Sequence, residues 1–206
     1  MKNIHLLLIG FILSTGLYAQ KKEALNESYK PAPRTFRIGV VPFQKDIRFT
    51  QAVIRSITKD SLSSVTLAEI QLMFNNIVNN ASLAKSVTIL TNKEFTADEI
   101  KSGANIRSLI TDEEIKNMSQ GLDKADLVII LSEPKRNPAQ KASAKKAIPE
   151  LPNRFRMYDL NTGVVIFDFT AEAPAAGLSD PEARKSLIES FHNYYYSNFV
   201  GRNNIK

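Results

Sequence analysis

Two histidines, His5 and His192, are the only imidazoles among the 206 residues, and the chain contains no cysteine and no tryptophan. A metal site or a Ser-His-Asp relay needs a histidine or thiolate held among converging partners. His5 lies in an apolar leader, and His192 stands alone beside Phe191 and Tyr194. No Gly-x-Ser-x-Gly turn is present to expose a nucleophilic serine. The residues after the first strand-like run, Pro42-Phe43-Gln44-Lys45-Asp46, lack the glycines of a phosphate loop. The carboxylate pairs Asp98-Glu99 and Glu113-Glu114 follow Thr96 and Thr111 at capping-box spacing. There the threonine caps an amide, the glutamate reaches back, and negative charge suits the helix dipole, so helix starts account for both pairs. The absence of cysteine also excludes a disulfide framework, a thiolate nucleophile and a lipidated cysteine. The expectation is a non-enzymatic chain without cofactor or metal.

The residues that do invite an interaction are cationic and aromatic. Lys135, Arg136, Lys141, Lys145 and Lys146 stand in one stretch with no acid between them, inside a net charge of +6. Such a run attracts anionic surfaces: an acidic partner protein, lipid headgroups or an anionic cell-wall polymer. A solvated spacer is the plain alternative. No ring interleaves with these cations, so nucleic acid is not expected. The second candidate surface is Tyr194-Tyr195-Tyr196. A helix cannot bury three consecutive rings on one stripe, so at least one must face outward.

Met1 to Ala19 has the order of a secretory signal: a basic start, the mostly apolar Ile4 to Leu13, then smaller residues ending in Ala19. The apolar stretch is shorter than the ~20 residues a spanning helix needs. Cleavage after Ala19 is expected, which removes Lys2 and His5. No later stretch is apolar for long enough to span a bilayer as a helix. The location expected is the periplasm of a diderm bacterium, in solution or peripheral to a membrane. Residues 20–35 read as a flexible leader, and residues 36–206 as one domain carrying a basic loop at 133–152.

The elements that must hold these candidates follow from periodicity. Phe36 to Phe43 reads as a strand stopped at Pro42. Residues 44–57 read as a loop and a short helix. From about Ser63, Ile70, Met73, Phe74, Ile77, Val78 and Ala81 fall on one helical stripe. Val87 to Leu90 reads as a second strand. Thr96 and Thr111 each open a helix. Asp126 to Leu131 is apolar on both faces, a strand covered above and below. Pro134, Pro138, Pro149 and Pro152 interrupt the basic stretch. Asn153 to Tyr158 and Val164 to Thr170 form a hairpin through Asp159-Leu160-Asn161-Thr162-Gly163. Pro181 starts the last helix. The class expected is α/β (α+β): a mixed sheet of about five strands with helices packed on it and a C-terminal hairpin and helix.

Three pieces in this order carry a resemblance. They are Ile38-Gly39-Val40-Val41-Pro42-Phe43, Gly121-Leu122-Asp123-Lys124-Ala125-Asp126-Leu127-Val128-Ile129-Ile130 and Arg156-Met157-Tyr158-Asp159-Leu160-Asn161-Thr162-Gly163-Val164-Val165. Together they resemble the amino-terminal α/β domain of TolB and its relatives. Those relatives include the periplasmic part of the curli secretion channel and the lipoprotein activators of penicillin-binding proteins. The resemblance covers about Phe36 to Phe199. It implies a non-catalytic envelope domain that binds other proteins or assembles into larger objects, and it supplies no catalytic residue. The lipidated cysteine and long amphipathic insertions of the channel-forming relatives are missing here, and the Lys- and Pro-rich insertion cannot form a lipid-facing band. The function expected is a component of a multi-protein envelope structure. The alternatives are an accessory regulator of a cell-wall enzyme and an unrecognised envelope hydrolase.

Overall fold

The apolar run after Asp126 becomes the strand beside which the rest of the sheet is laid. The computed structural model describes residues 22–31, 36–43, 46–57, 67–133, 152–171 and 180–203. Its strands are β1 (Lys22–Leu25), β2 (Ile38–Val41), β3 (Leu127–Ser132), β4 (Arg154–Asp159) and β5 (Val165–Thr170), in the spatial order β1-β5-β4-β3-β2. β2 runs parallel to β3, and the other three pairings are antiparallel. Every residue of β3, β4 and β5 is buried. Strands of that kind need cover on both faces. Six helices supply it: α1 (Ile47–Ile57), α2 (Leu67–Asn79), α3 (Ala81–Asn92), α4 (Ala97–Lys101), α5 (Asp112–Gly121) and α6 (Pro181–Tyr195). A π-helical turn, Tyr196–Val200, prolongs α6. Among the described residues no helix is long and apolar enough to cross a membrane.

Alternation along the strands divides the interior into two cores. Phe155, Met157, Phe167 and Phe169 point to one face and pack with Phe49 and Val53 of α1 and with Leu187, Phe191 and Tyr194 of α6. Val128, Ile130, Tyr158 and Val165 point to the other and pack with Leu83 and Leu90 of α3 and Ile115 and Met118 of α5. A bulge at Met157/Tyr158 sets Met157 opposite Phe167 and Tyr158 opposite Val165. The extra residue, Ile166, turns to the α6 side. α2 joins the two cores: Ile70 is buried in one, Ile77 in the other, and Met73 packs on both.

Both capping boxes form. Thr96 and Thr111 accept from the amides of Glu99 and Glu114, and each glutamate accepts from its threonine's own amide. Those backbone hydrogen bonds hold the two carboxyls below their ordinary range. The last helix starts at Pro181, as the sequence predicts, and Asp180 caps it. The hairpin turn also forms, with the Asp159 carboxylate accepting from the amides of Asn161 and Thr162. Gly163 closes it at φ 77°, and a Cβ there would sit 2.4 Å from the Asn105 Oδ1.

Three expectations are corrected. Val87 to Leu90 is not a strand but part of α3. Four β-branched and apolar residues suit a strand, yet Asn80 caps a helix about two turns upstream, and Leu83, Ser86 and Leu90 make one buried stripe. The stripe predicted on α2 is narrower than its spacing implies: Val78 is 56% exposed, and Ala81 belongs to the next helix. The stretch 20–35 is not a flexible leader throughout. Lys22–Leu25 pairs with Phe167 to Thr170, adding an edge strand. Only four residues long and holding a lysine and a glutamate, it has the short, charged character of an edge and no legible period. Its continuation is anchored too. The Tyr29 hydroxyl donates to the Asp159 carboxylate at 2.9 Å, and its ring stacks on Phe199 at 6.4 Å.

Tyr29 therefore tests the correction. Tyr29→Ala is expected to cost about 3 kcal/mol and Tyr29→Phe about 1 kcal/mol of stability in urea denaturation. An unchanged midpoint for both variants would return this stretch to the status of a leader.

Candidate interaction surface

The basic stretch from Lys135 to Lys146 lies outside the described residues, but the strand ends on either side of it are described. β3 ends at Ser132 and β4 begins at Arg154. In β4 the residues alternate Arg154, Phe155, Arg156, Met157, Tyr158. With the aromatic core on one side, both arginines point to the α3 side. There they are 3% and 0% exposed. Buried cations need partners, because an unpaired charge in a dry interior costs several kcal/mol.

Each arginine is met differently. Arg154 forks between two carboxylates. Its Nε donates to the Asp168 Oδ1 at 2.8 Å and its Nη2 to the Asp168 Oδ2. Its Nη1 and Nη2 donate to the two Glu94 oxygens at 2.6 and 2.9 Å. Asp168 is 2% exposed and lies directly across the ladder from Arg156, two pairs along from Arg154 and Thr170. Burial works against the Arg154 charge, but the hydrogen bonds it donates to Asp168 and then Glu94 outweigh it and hold its pKa above the usual value. Arg156 meets no carboxylate. Its Nη1 donates to the carbonyls of Leu90 and Lys93, and its Nη2 to the Thr91 carbonyl at 2.7 Å and the Ser132 Oγ at 3.4 Å. These carbonyls close the C-terminus of α3, where unpaired oxygens and the negative end of the helix dipole favour a cation. The Tyr158 hydroxyl adds a longer donation to Leu90, at 3.4 Å.

Chemically the cluster is a clamp. Its carboxylates and hydroxyl are occupied with guanidinium groups, and it draws β3, β4, β5 and the end of α3 to one point. It stands at the root of the basic stretch. Among the described residues, no group of three or more His, Cys, Asp or Glu is placed to hold a metal ion.

The tyrosine run separates. Tyr194 and Tyr195 are core residues, 6% and 4% exposed, whereas Tyr196 is 57% exposed. Tyr194 stacks on Phe169 at 4.1 Å and meets Phe167 edge-on; Tyr195 stacks on Phe199 at 5.5 Å. One ring faces outward, as the helix period requires. Tyr194 and Tyr195 are thus corrected from surface candidates to packing residues, and Tyr196 beside the half-buried His192 remains. Of the other sequence candidates, Lys135, Arg136, Lys141, Lys145 and Lys146 lie outside the described residues. The clamp itself is missed by sequence reasoning. Its one signal is two arginines alternating with Phe155 and Met157 along a strand.

Two measurements follow. Asp168→Asn is expected to destabilise the fold by about 3 kcal/mol in denaturant, because it strips Arg154 of its most buried partner. Arg154→Met with Asp168→Leu is expected to recover most of that loss, since apolar side chains of similar volume replace a buried ion pair well. A harmless Asp168→Asn would sink the clamp. The second concerns alkali. Burial raises the phenol of Tyr158 to about 12 and pushes Tyr194 and Tyr195 up as well. An unfolded tyrosine releases its proton near pH ~10, before the folded ones do. The unfolded chain then binds fewer protons, so stability falls as pH rises above about 10. The urea midpoint measured from pH 8 to 11 should be level at first and then drop.

No family model, curated protein or solved structure matches this chain.

Proposed function

We propose that this chain is a non-catalytic interaction or assembly protein of the periplasm, a component of a multi-protein envelope structure. It engages an anionic surface of its partner through the cations between Lys135 and Lys146. One observation carries the reading. The strand ends on either side of that acid-free stretch, Ser132 and Arg154, belong to a buried, ion-paired clamp. Binding segments work best when a rigid scaffold holds their ends, since less order must be imposed on contact. The leader-like Met1 to Ala19 supports export. The occupied state of the buried charges supports a binding rather than a turnover role, because each one named above is engaged in holding the fold.

The test reverses the charge. The triple variant Lys141→Glu, Lys145→Glu and Lys146→Glu should lose its partner in crosslinking and pull-down from intact cells, by about tenfold or more at low salt. Wild-type binding should itself weaken as salt rises. Partner recovery unchanged by the triple variant would reduce the segment to a spacer. A large complex in the wild-type eluate fits an assembly component, whereas a single cell-wall synthase would replace this reading with that of an accessory regulator.

A further inference from the structure

The helical layer over α3 and α5 carries a second feature, away from the clamp. An open cavity of about 350 Å³ is lined by the carboxamides of Asn76, Asn79, Asn80, Asn117 and Gln120 over Leu83. They come from the end of α2, the cap of α3 and the body of α5. No lining side chain is charged. The Asn80 Oδ1 accepts from the Leu83 amide at 3.0 Å, which caps α3. The other four carboxamides make no hydrogen bond to another described residue.

That idleness conflicts with local stability. Asparagine is among the poorer helix formers, because its amide competes for the backbone. Asn80 compensates as a cap. Asn76 in the last turn of α2 and Asn117 inside α5 do not, since neither caps nor pairs with a described side chain. Residues that break a local rule without a structural return concentrate where a surface binds something.

We propose that this groove takes an extended, uncharged stretch of a partner polypeptide. A carboxamide offers one donor side and one acceptor side, the pair that each peptide unit also offers. Leu72, 60% exposed, precedes Asn76 by four residues and Asn79 by seven, so it continues their stripe along α2. Leu72 thus sets one exposed apolar contact on the same stripe as two of the amides, which suits a ligand that carries side chains between its peptide units. A glycan would be expected to seat its sugar rings on an aromatic face, and no aromatic residue lines the cavity. The inference rests on the reading of the chain as a binding protein, but it uses none of the basic stretch.

Random dodecapeptides displayed on phage and panned against the full chain supply the probe. The enriched sequences should be poor in charged residues. A synthetic copy should bind the double variant Asn76→Ala, Asn117→Ala at least about tenfold more weakly than wild type. The same variant should melt a few degrees higher, because alanine is the better helix former. A lower melting temperature would make the asparagines structural and overturn the proposal. So would the absence of enrichment, or equal binding to the variant. Enriched acidic peptides that fail only on the Lys141→Glu, Lys145→Glu, Lys146→Glu variant would refute the groove and leave the basic segment's role standing. An N-acetylglucosamine tetramer that shifts the side-chain amide resonances of Asn76 and Asn117, with no peptide enriched, would assign the groove to a glycan and refute the peptide.

Discussion

Two guanidinium groups inside the layer between β4 and α3 set the strongest constraint on this fold. Neither Arg154 nor Arg156 can stay charged there without oxygen partners, and those partners come from distant parts of the chain: Glu94, Asp168, Ser132 and the carbonyls of Leu90, Thr91 and Lys93. Placing both among those oxygens at once fixes the register of β4 against β5, seats β3 beside them, and decides where α3 must end. An apolar set of residues would fill the same volume at comparable or lower free energy. What the charges add is directionality. A shift of β4 by one residue would turn both cations into the aromatic core, where nothing accepts their protons.

The other face of the same strand works by contact area. Phe155 stacks on Phe191 at 4.1 Å, and Tyr194 stacks on Phe169 at the same distance. Ring packing stabilises strongly but tolerates sliding better than hydrogen bonds do. β4 thus carries a tolerant face and a strict one. Their combination explains why a single central strand can hold α1 and α6 on one side and α3 on the other. Gly39 shows how closely the edge of this assembly is drawn: a Cβ there would lie 2.9 Å from that of Ala125.

What was legible in the sequence has short range. Thr96, Thr111 and Asp180 meet their amide partners within three residues, and the turn at Asp159 to Gly163 closes on itself. The unbroken apolar run of β3 announces cover on both faces. What was not legible depends on distant partners. Lys22–Leu25 becomes a strand because β5, well over a hundred residues away, leaves an edge open. The error at Val87 to Leu90 also hides the clamp. Read as a strand, it offers no helix end for Arg156 to close, and an arginine on β4 then has no reason to be inside. The cations from Lys135 to Lys146 are plain in the composition, but the anchoring of the strands beside them is visible only once α3 is a helix. The asparagines at the α2–α3 junction carry no motif at all. Asn80 caps α3, but Asn76 and Asn79 pair with no described side chain.

α3 links the two regions that the chain presents. Its N-terminus, capped by Asn80, borders the carboxamide groove, and its C-terminus is held by Arg156. A helix of 12 residues is about 18 Å long and does not bend easily without proline or an inserted side chain. Buried along Leu83, Ser86 and Leu90 and held at its C-terminus by Arg156, α3 keeps the groove and the strand ends at Ser132 and Arg154 at a set separation. A partner that engaged both would form its second contact at high effective concentration once the first is made. Loosening the clamp would then weaken binding at the groove without touching any residue that lines it. The same rigidity that the buried arginines impose on folding is what would make two weak surfaces act together.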